Sequence, residues 1–316
     1  SFTIYDQADS QRLMSMVLRD LDLDPKRYPA RAFSAAVSNL KNELIDEETN
    51  AARASDGTHH DRMIADAYRG YQRRLRQANA LDFDDLIMTT VHLLQAFPQV
   101  REHYRRRFRH ILVDEYQDTN VAQYELIRQL VGEEGEDTSP AELAVVGDAD
   151  QSIYAFRGAS IRNIVEFEKD YPTAHTILLE QNYRSTQNIL AAANGVIARN
   201  QGRMPKRLWA AAGEGGHITG YVADSEHDEA AFVARQIDDL GDKHGIRPGD
   251  VAVFYRTNAQ SRAIEEVLVR VGLPYKVVGG TKFYERKEIK DILAYLRIIS
   301  NPTDTVSLRR ILNVPR

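Results

Sequence analysis

Ile111-Leu112-Val113-Asp114-Glu115-Tyr116-Gln117-Asp118 is the stretch on which the fold turns: a short apolar run passes directly into a pair of acids. Such a run, bounded by polar residues, fits a strand of a parallel sheet, and carboxylates at its C-terminal end face the crevice where open α/β sheets bind ligands. One acid can hold Mg2+ while its neighbour orients or deprotonates an attacking water. The same residues also fit a strand that simply exits into an acidic loop.

Two further stretches repeat the design. Val145-Val146 turns at Gly147 into Asp148-Ala149-Asp150-Gln151-Ser152, where Gln151 can hydrogen-bond a terminal phosphate or its water, or merely cap the next segment. Tyr154, Phe156 and Arg157 follow at once. Aromatics two apart share one side of an extended chain, and beside a guanidinium they form a stacking platform for unpaired bases; core packing is the other use of such a pair. The third stretch, Leu179-Glu180-Gln181-Asn182-Tyr183-Arg184-Ser185-Thr186, offers Arg184 to a phosphate and Tyr183 to a purine ring. Three tips in succession carry an acid pair, a glutamine and an arginine.

Around these tips the hydrophobic pattern predicts an α/β protein. Strands are expected at Ile111–Val113, Leu143–Val146, Ile177–Leu179, Val251–Phe254 and Tyr275–Val278. Helices are expected at 121–131, 188–199, 228–240, 259–271 and 285–299. The first 80 residues read as helices without an intervening strand, with Leu13, Met16, Val17 and Leu21, then Phe33, Val37, Leu40 and Leu44, then Ile64, Tyr68, Tyr71 and Leu75 at helical spacing. Asp82 is placed to cap a helix from Phe83 to Phe97 that stops at Pro98.

With 316 residues the chain is long enough for two domains, and 43% hydrophobic with 28% charged residues is the balance of a globular protein. There are no cysteines, so disulfides, thiolate zinc sites and cysteine nucleophiles are excluded; the adjacent His59-His60 fits a solvated loop. The N-terminus, Ser1-Phe2-Thr3-Ile4-Tyr5-Asp6, has neither the basic start nor the apolar core of a signal peptide, and no apolar run reaches membrane-spanning length, so a cytoplasmic protein is expected. Net charge is −5 but unevenly spread. Residues 81–184 hold 10 basic and 19 acidic residues, residues 185–316 hold 19 and 15, and residues 1–80 hold 12 of each. A path for DNA must then be a local basic and aromatic strip. The basic stretches 69–76 and 101–109 fit either such a role or solvated helix faces.

The three tip motifs resemble helicase motifs II, III and IV of the UvrD/Rep/PcrA group, which are superfamily 1 DNA helicases. The resemblance extends to Leu81-Asp82-Phe83-Asp84-Asp85-Leu86, Tyr255-Arg256-Thr257-Asn258-Ala259-Gln260-Ser261-Arg262 and Gly279-Gly280-Thr281-Lys282-Phe283-Tyr284-Glu285-Arg286. It implies RecA-like, parallel-sheet P-loop NTPase core halves: a helical insertion called subdomain 1B at residues 1–80, the second half of 1A at 81–184 and the first half of 2A at 185–316. It also implies ATP and Mg2+ as cofactors. Asp114 and Glu115 would bind the metal, with Glu115 activating water; Gln151 and Arg184 would contact the γ-phosphate and Tyr183 would stack near adenine. Tyr154, Phe156 and Arg157 would handle single-stranded DNA, and Phe156 stands where the family often has tryptophan, which predicts weaker stacking. Arg256 and Asn258 are candidate DNA-backbone contacts, with a loop and helix-cap role as the alternative.

The implied activity is that of an ATP-dependent 3′ to 5′ helicase or translocase acting on single strands and single/double-strand junctions in DNA repair or replication restart. Repair or transcription proteins are the implied partners. No Gly-Lys dipeptide occurs, so the phosphate-cradling loop G-x-x-x-x-G-K-[ST] is expected outside this chain, which alone should turn ATP over negligibly. The competing reading is a non-catalytic DNA- or partner-binding module derived from the same core.

Overall fold

The computed structural model of the protein describes residues 2–136, 138–155, 158–200, 206–278 and 287–314. The chain divides into two compact units, one made of Ser1–Leu178, Asn200–Lys206 and Lys287–Arg316, the other of Leu179–Arg199 and Arg207–Arg286. Its described residues form helices and three small parallel sheets of two strands each.

The first unit opens with strand β1 (Thr3–Tyr5) and helices α1 (Gln7–Asp20), α2 (Ala30–Asn42), α3 (Glu47–Ala54) and α4 (His59–Gln77), before strand β2 (Ala80–Asp82). β1 and β2 pair in parallel, Thr3 opposite Ala80. The expectation of an uninterrupted helical region is thus corrected at both ends, because a three-residue strand is too short to show alternation in sequence. The helices were legible because their inner faces are apolar at helical spacing, and the starts of α1, α3 and α4 also carry side-chain caps, whereas that of α2 does not. Asp6 caps α1 by accepting from the Asp9 amide at 2.8 Å, and Thr58 with Asp61 forms a capping box on α4. Leu13, Val17, Phe33, Val37, Tyr68, Tyr71 and Leu75 meet in one core. Buried methylenes and rings of this kind supply most of the stability of such a unit.

Helices α5 (Phe83–Ala96) and α6 (Pro98–Arg107) follow. Asp82 caps α5 as expected, in a capping box with Asp85. Helix α5 ends before Pro98 as expected, and Pro98 opens the separate helix α6, in whose first turn its missing N–H costs nothing. Strand β3 (His110–Val113), helix α7 (Val121–Val131) and strand β4 (Glu142–Val145) make a parallel pair with a helical crossover, in register Ile111 to Leu143. Two one-turn helices, α8 (Arg162–Val165) and α9 (Phe167–Asp170), come next.

The unit is closed by α13 (Lys287–Ser300) and α14 (Thr305–Ile311), which return to β1. Tyr5 Oη donates to the fully buried Asp304 at 2.6 Å, and Asn301 Nδ2 donates to Thr3 Oγ1 at 2.9 Å and to the Ala78 carbonyl at 2.7 Å. Ion pairs from Lys290 to Asp6 (3.0 Å) and from Arg297 to Asp9 (2.8 Å) flank this seam, and Val306 enters the core. Burial, reinforced by Asp304, pushes the Tyr5 phenol far above its ordinary range, so it keeps the proton it donates to Asp304.

The second unit contains strand β5 (Gln181–Asn182), α10 (Gln187–Ile197), β6 (Trp209–Ala210), α11 (Glu226–His244) and α12 (Ser261–Val271). β5 and β6 again pair in parallel across a helix. Ala230 and Ala234 of α11 pack on Ala263, Val267 and Leu268 of α12. Gly245 and Gly272 end the two helices in the left-handed region that glycine tolerates.

Three expected strands are corrected: Ile177–Leu179, where the first unit passes into the second, and Val251–Phe254 and Tyr275–Val278 of the second join no sheet. Leu179 is 76% and Phe254 91% exposed. A strand exists only where a neighbour supplies hydrogen-bond partners, and among the described residues none of these runs has one. In the first unit β3 and β4 do pair in parallel, although their residues alternate between exposed and half-buried.

Candidate functional site

The tips of β3 and β4 converge. Val146 N donates to Val113 O at 2.8 Å and Tyr116 N to Val146 O at 3.0 Å, so the two chains stay in register past the strands. Beyond them, Asp114 and Glu115 are exposed, and Asp114 Oδ1 accepts the Glu115 amide at 2.9 Å. Glu115 has φ of 50°, a left-handed conformation rare for a residue with a side chain. Strain of this kind persists only where the surroundings enforce it and clusters at working sites. A 3₁₀ turn, Tyr116–Asp118, enforces it here, with Asp118 N bonded to Glu115 O at 2.9 Å and Tyr116 fully buried.

Gln117 joins the two tips. Its Nε2 donates to Glu115 Oε2 at 2.7 Å and its Oε1 accepts the Asp148 amide at 2.9 Å. On the second tip Gln151, itself exposed, donates through Nε2 to Asp148 Oδ2 at 2.9 Å, while Asp148 Oδ1 accepts the Asp150 amide at 2.9 Å. Lys206 pairs with Asp148 and stands 3.5 Å from Asp150. Burial pushes the Asp148 carboxyl up, but the hydrogen bonds from Lys206, Gln151 and the Asp150 amide outweigh it and hold the group below its usual range. Asp114, Glu115 and Gln151 are therefore brought together, with Gln117, Asp148 and Lys206 as partners that the motif reading gave no role. The one signal for Gln117 in the sequence was an uncharged polar residue set between acids.

Gly147 makes this approach possible. A β-carbon there would lie 2.6 Å from Gln117 Oε1, 2.9 Å from Ile164 Cδ1 and 3.1 Å from Tyr116 N. Gly147→Ala is expected to cost about 1–3 kcal/mol by forcing these groups apart. A thermal-denaturation midpoint unchanged within error would show that the tips are looser than this packing.

The other candidates belong to other segments of the chain. Tyr154 is exposed three residues past Gln151, whereas Phe156 and Arg157 fall outside the described residues. Tyr183 and Arg184 belong to the second unit, just after β5. Tyr183 is 85% exposed with its hydroxyl on Gln181 Oε1 at 3.0 Å, and Asn182 Oδ1 accepts the Arg184 and Ser185 amides at 2.9 and 2.8 Å. Arg256 and Asn258 are exposed in the loop before α12. There Gln260 Oε1 accepts the Arg256 and Thr257 amides, both at 2.9 Å, and Ser261 Oγ donates to Asn258 O at 3.0 Å.

Among the described residues no group of three or more His, Cys, Asp or Glu side chains gathers into a ready-made metal cage. An acid pair at a strand tip suits Mg2+, which is ordinarily held by one or two carboxylates together with water and substrate phosphates.

Residues 1–172 match the UvrD/REP helicase N-terminal domain and residues 177–316 the UvrD-like helicase C-terminal domain. The chain belongs to the UvrD/REP helicase family. Among its relatives are the ATP-dependent DNA helicase UvrD1 of Mycobacterium tuberculosis, 66% identical, and that of Mycobacterium leprae, 62% identical. The ATP-dependent DNA helicase PcrA of Bacillus subtilis is 51% identical. Each alignment covers 100% of this chain but only 41% of either UvrD1 and 42% of PcrA. This UvrD/REP chain thus spans about two fifths of the length of those relatives. No helix among its described residues is long and apolar enough to cross a membrane.

Proposed function

We propose that this chain works as part of an ATP-dependent DNA helicase or translocase of 3′ to 5′ polarity, acting on single strands and single/double-strand junctions in DNA repair or replication restart. What carries the reading is the linked set Glu115, Gln117, Asp148 and Gln151 at two adjacent strand tips. An acid that can accept a proton from water, beside a glutamine that can meet a terminal phosphate, is the equipment phosphoanhydride hydrolysis needs.

In this reading residues 1–80 are subdomain 1B, 81–184 the second half of 1A and 185–316 the first half of 2A. Asp114, with Glu115 beside it, would hold Mg2+, which supplies neutralisation of the charge on the transferring phosphate. Glu115 orients and deprotonates the attacking water. Gln151 and Arg184 contact the γ-phosphate, and Tyr183 stacks on adenine. Tyr154, Phe156 and Arg157 grip unpaired bases, with Arg256 and Asn258 on the phosphate backbone. The protein operates in the cytoplasm, alongside repair or transcription proteins.

The test is ATP hydrolysis by the full-length protein, with and without single-stranded DNA, beside a salt titration of DNA affinity. Turnover should rise with DNA, and log affinity should fall linearly with log salt. Salt-sensitive DNA binding without any DNA-stimulated turnover would instead identify a binding module.

A further inference from the structure

We infer that Gln117 is a positioning residue that fastens the Glu115 carboxylate to the turn carrying Gln151, so that the acid and the glutamine move as one piece. The inference rests on the roles proposed above for those two residues, and Gln117 itself touches neither substrate nor metal in it.

The side chain of Gln117 is buried, the residue being 1% exposed, and both ends of its amide are committed. The Glu115 carboxylate can only accept and the Asp148 amide can only donate, so one orientation of the Gln117 amide satisfies both. Ser152 Oγ also donates to the Gln117 carbonyl, at 3.4 Å, which ties the far end of the second turn to the same residue. Glu115 leaves its strand in a strained left-handed conformation, and its carboxylate, otherwise exposed, is aimed by this one side-chain bond. From the other end, Gln151 reaches the link through Asp148. The chain Glu115, Gln117, Asp148, Gln151 is continuous, so a shift of Gln151 on gaining or losing a phosphate partner is transmitted to the acid. Misplacing a catalytic group by about 1 Å costs on the order of 100-fold in rate without weakening ground-state binding, which sets the size of effect to expect.

Two substitutions cut the link differently. Gln117→Met removes both bonds at nearly constant length; Gln117→Glu keeps an oxygen for the Asp148 amide but sets a carboxylate against Glu115. In the full-length protein both should lower kcat for DNA-stimulated ATP hydrolysis about 10-fold to 100-fold, with the KM for ATP within about threefold of the parent. Hydrogen exchange of the nucleotide-free protein separates them: the Asp148 amide should exchange about tenfold faster in Gln117→Met and near the parent rate in Gln117→Glu. A parent-like kcat in Gln117→Glu, or a loss confined to KM, overturns the inference. Glu115→Gln in the same assay tells the two failures apart. If it abolishes turnover while Gln117→Glu does not, only the positioning role falls; if it leaves turnover intact, both fall. Should Gln117→Met not fold, Gln117→Glu carries the kinetic test alone.

Discussion

Lys41→Ala is expected to destabilise the first unit by about 3–5 kcal/mol, the range seen when one partner of a buried ion cluster is removed. Lys41 projects from α2 and is fully buried. Its Nζ lies 2.7 Å from Asp82 Oδ2 and 2.8 Å from Asp85 Oδ1. The carboxylates are already engaged, since Asp82 Oδ1 accepts the Asp85 amide at 2.8 Å and Asp85 Oδ2 the Asp82 amide at 3.2 Å, capping α5. Tyr71 Oη and Gln72 Nε2 from α4 donate to the same two acids at 2.9 and 3.0 Å. One ammonium therefore joins three helices. Burial pushes both carboxyls up; the attraction of Lys41 wins at Asp82 and holds it low, whereas at Asp85 burial wins and the group stays raised. Without Lys41, two carboxylates share a dry site with no counter-charge. Urea unfolding of Lys41→Ala and Lys41→Met measures the loss, and adding Asp85→Asn to Lys41→Met should recover part of it. A cost below about 1 kcal/mol for Lys41→Ala would mean that water, rather than the lysine, neutralises the pair.

The contrast between this cluster and the strand tips explains what was legible in the sequence. Helix starts are local: Asp82, expected to cap the helix from Phe83, does so in a box with Asp85, and the box of Thr58 with Asp61 that opens α4 is of the same short range. The runs at Ile111 and Leu143 became strands because each is the other's partner across α7. The runs at Val251 and Tyr275 have the same composition without a partner among the described residues, and composition records only the preference for burial, not the pairing. The acid pair and Gln151 could be found because they stand at the ends of such runs. Gln117 could not, since its importance lies in a bond to the amide of residue 148, thirty-one positions on, which no local pattern encodes. The return of α13 and α14 to Thr3 and Tyr5 is hidden for the same reason.

In the full-length protein, Glu115→Gln should lower kcat for DNA-stimulated ATP hydrolysis by about 100-fold to 10,000-fold, the share that a positioned proton acceptor contributes. The substitution isolates the chemistry because it is nearly isosteric. An amide oxygen at position 115 can still accept from Gln117 Nε2, so the bond now 2.7 Å long survives, and neither the left-handed backbone nor the buried Tyr116 behind it is touched. Nucleotide affinity, DNA affinity and melting temperature should therefore stay near those of the parent. What is lost is the ability to take a proton from water, which an amide lacks at any accessible pH. Asp114→Asn makes the useful comparison. It keeps an oxygen for the Glu115 amide but removes the charge that would chiefly hold Mg2+, so it should raise the Mg2+ concentration needed for half-maximal turnover more than Glu115→Gln does. Single-turnover hydrolysis at saturating Mg2+ and DNA separates the two. A Glu115→Gln rate within about threefold of the parent would mean that water is activated elsewhere and that the strained turn at Glu115 serves the fold alone.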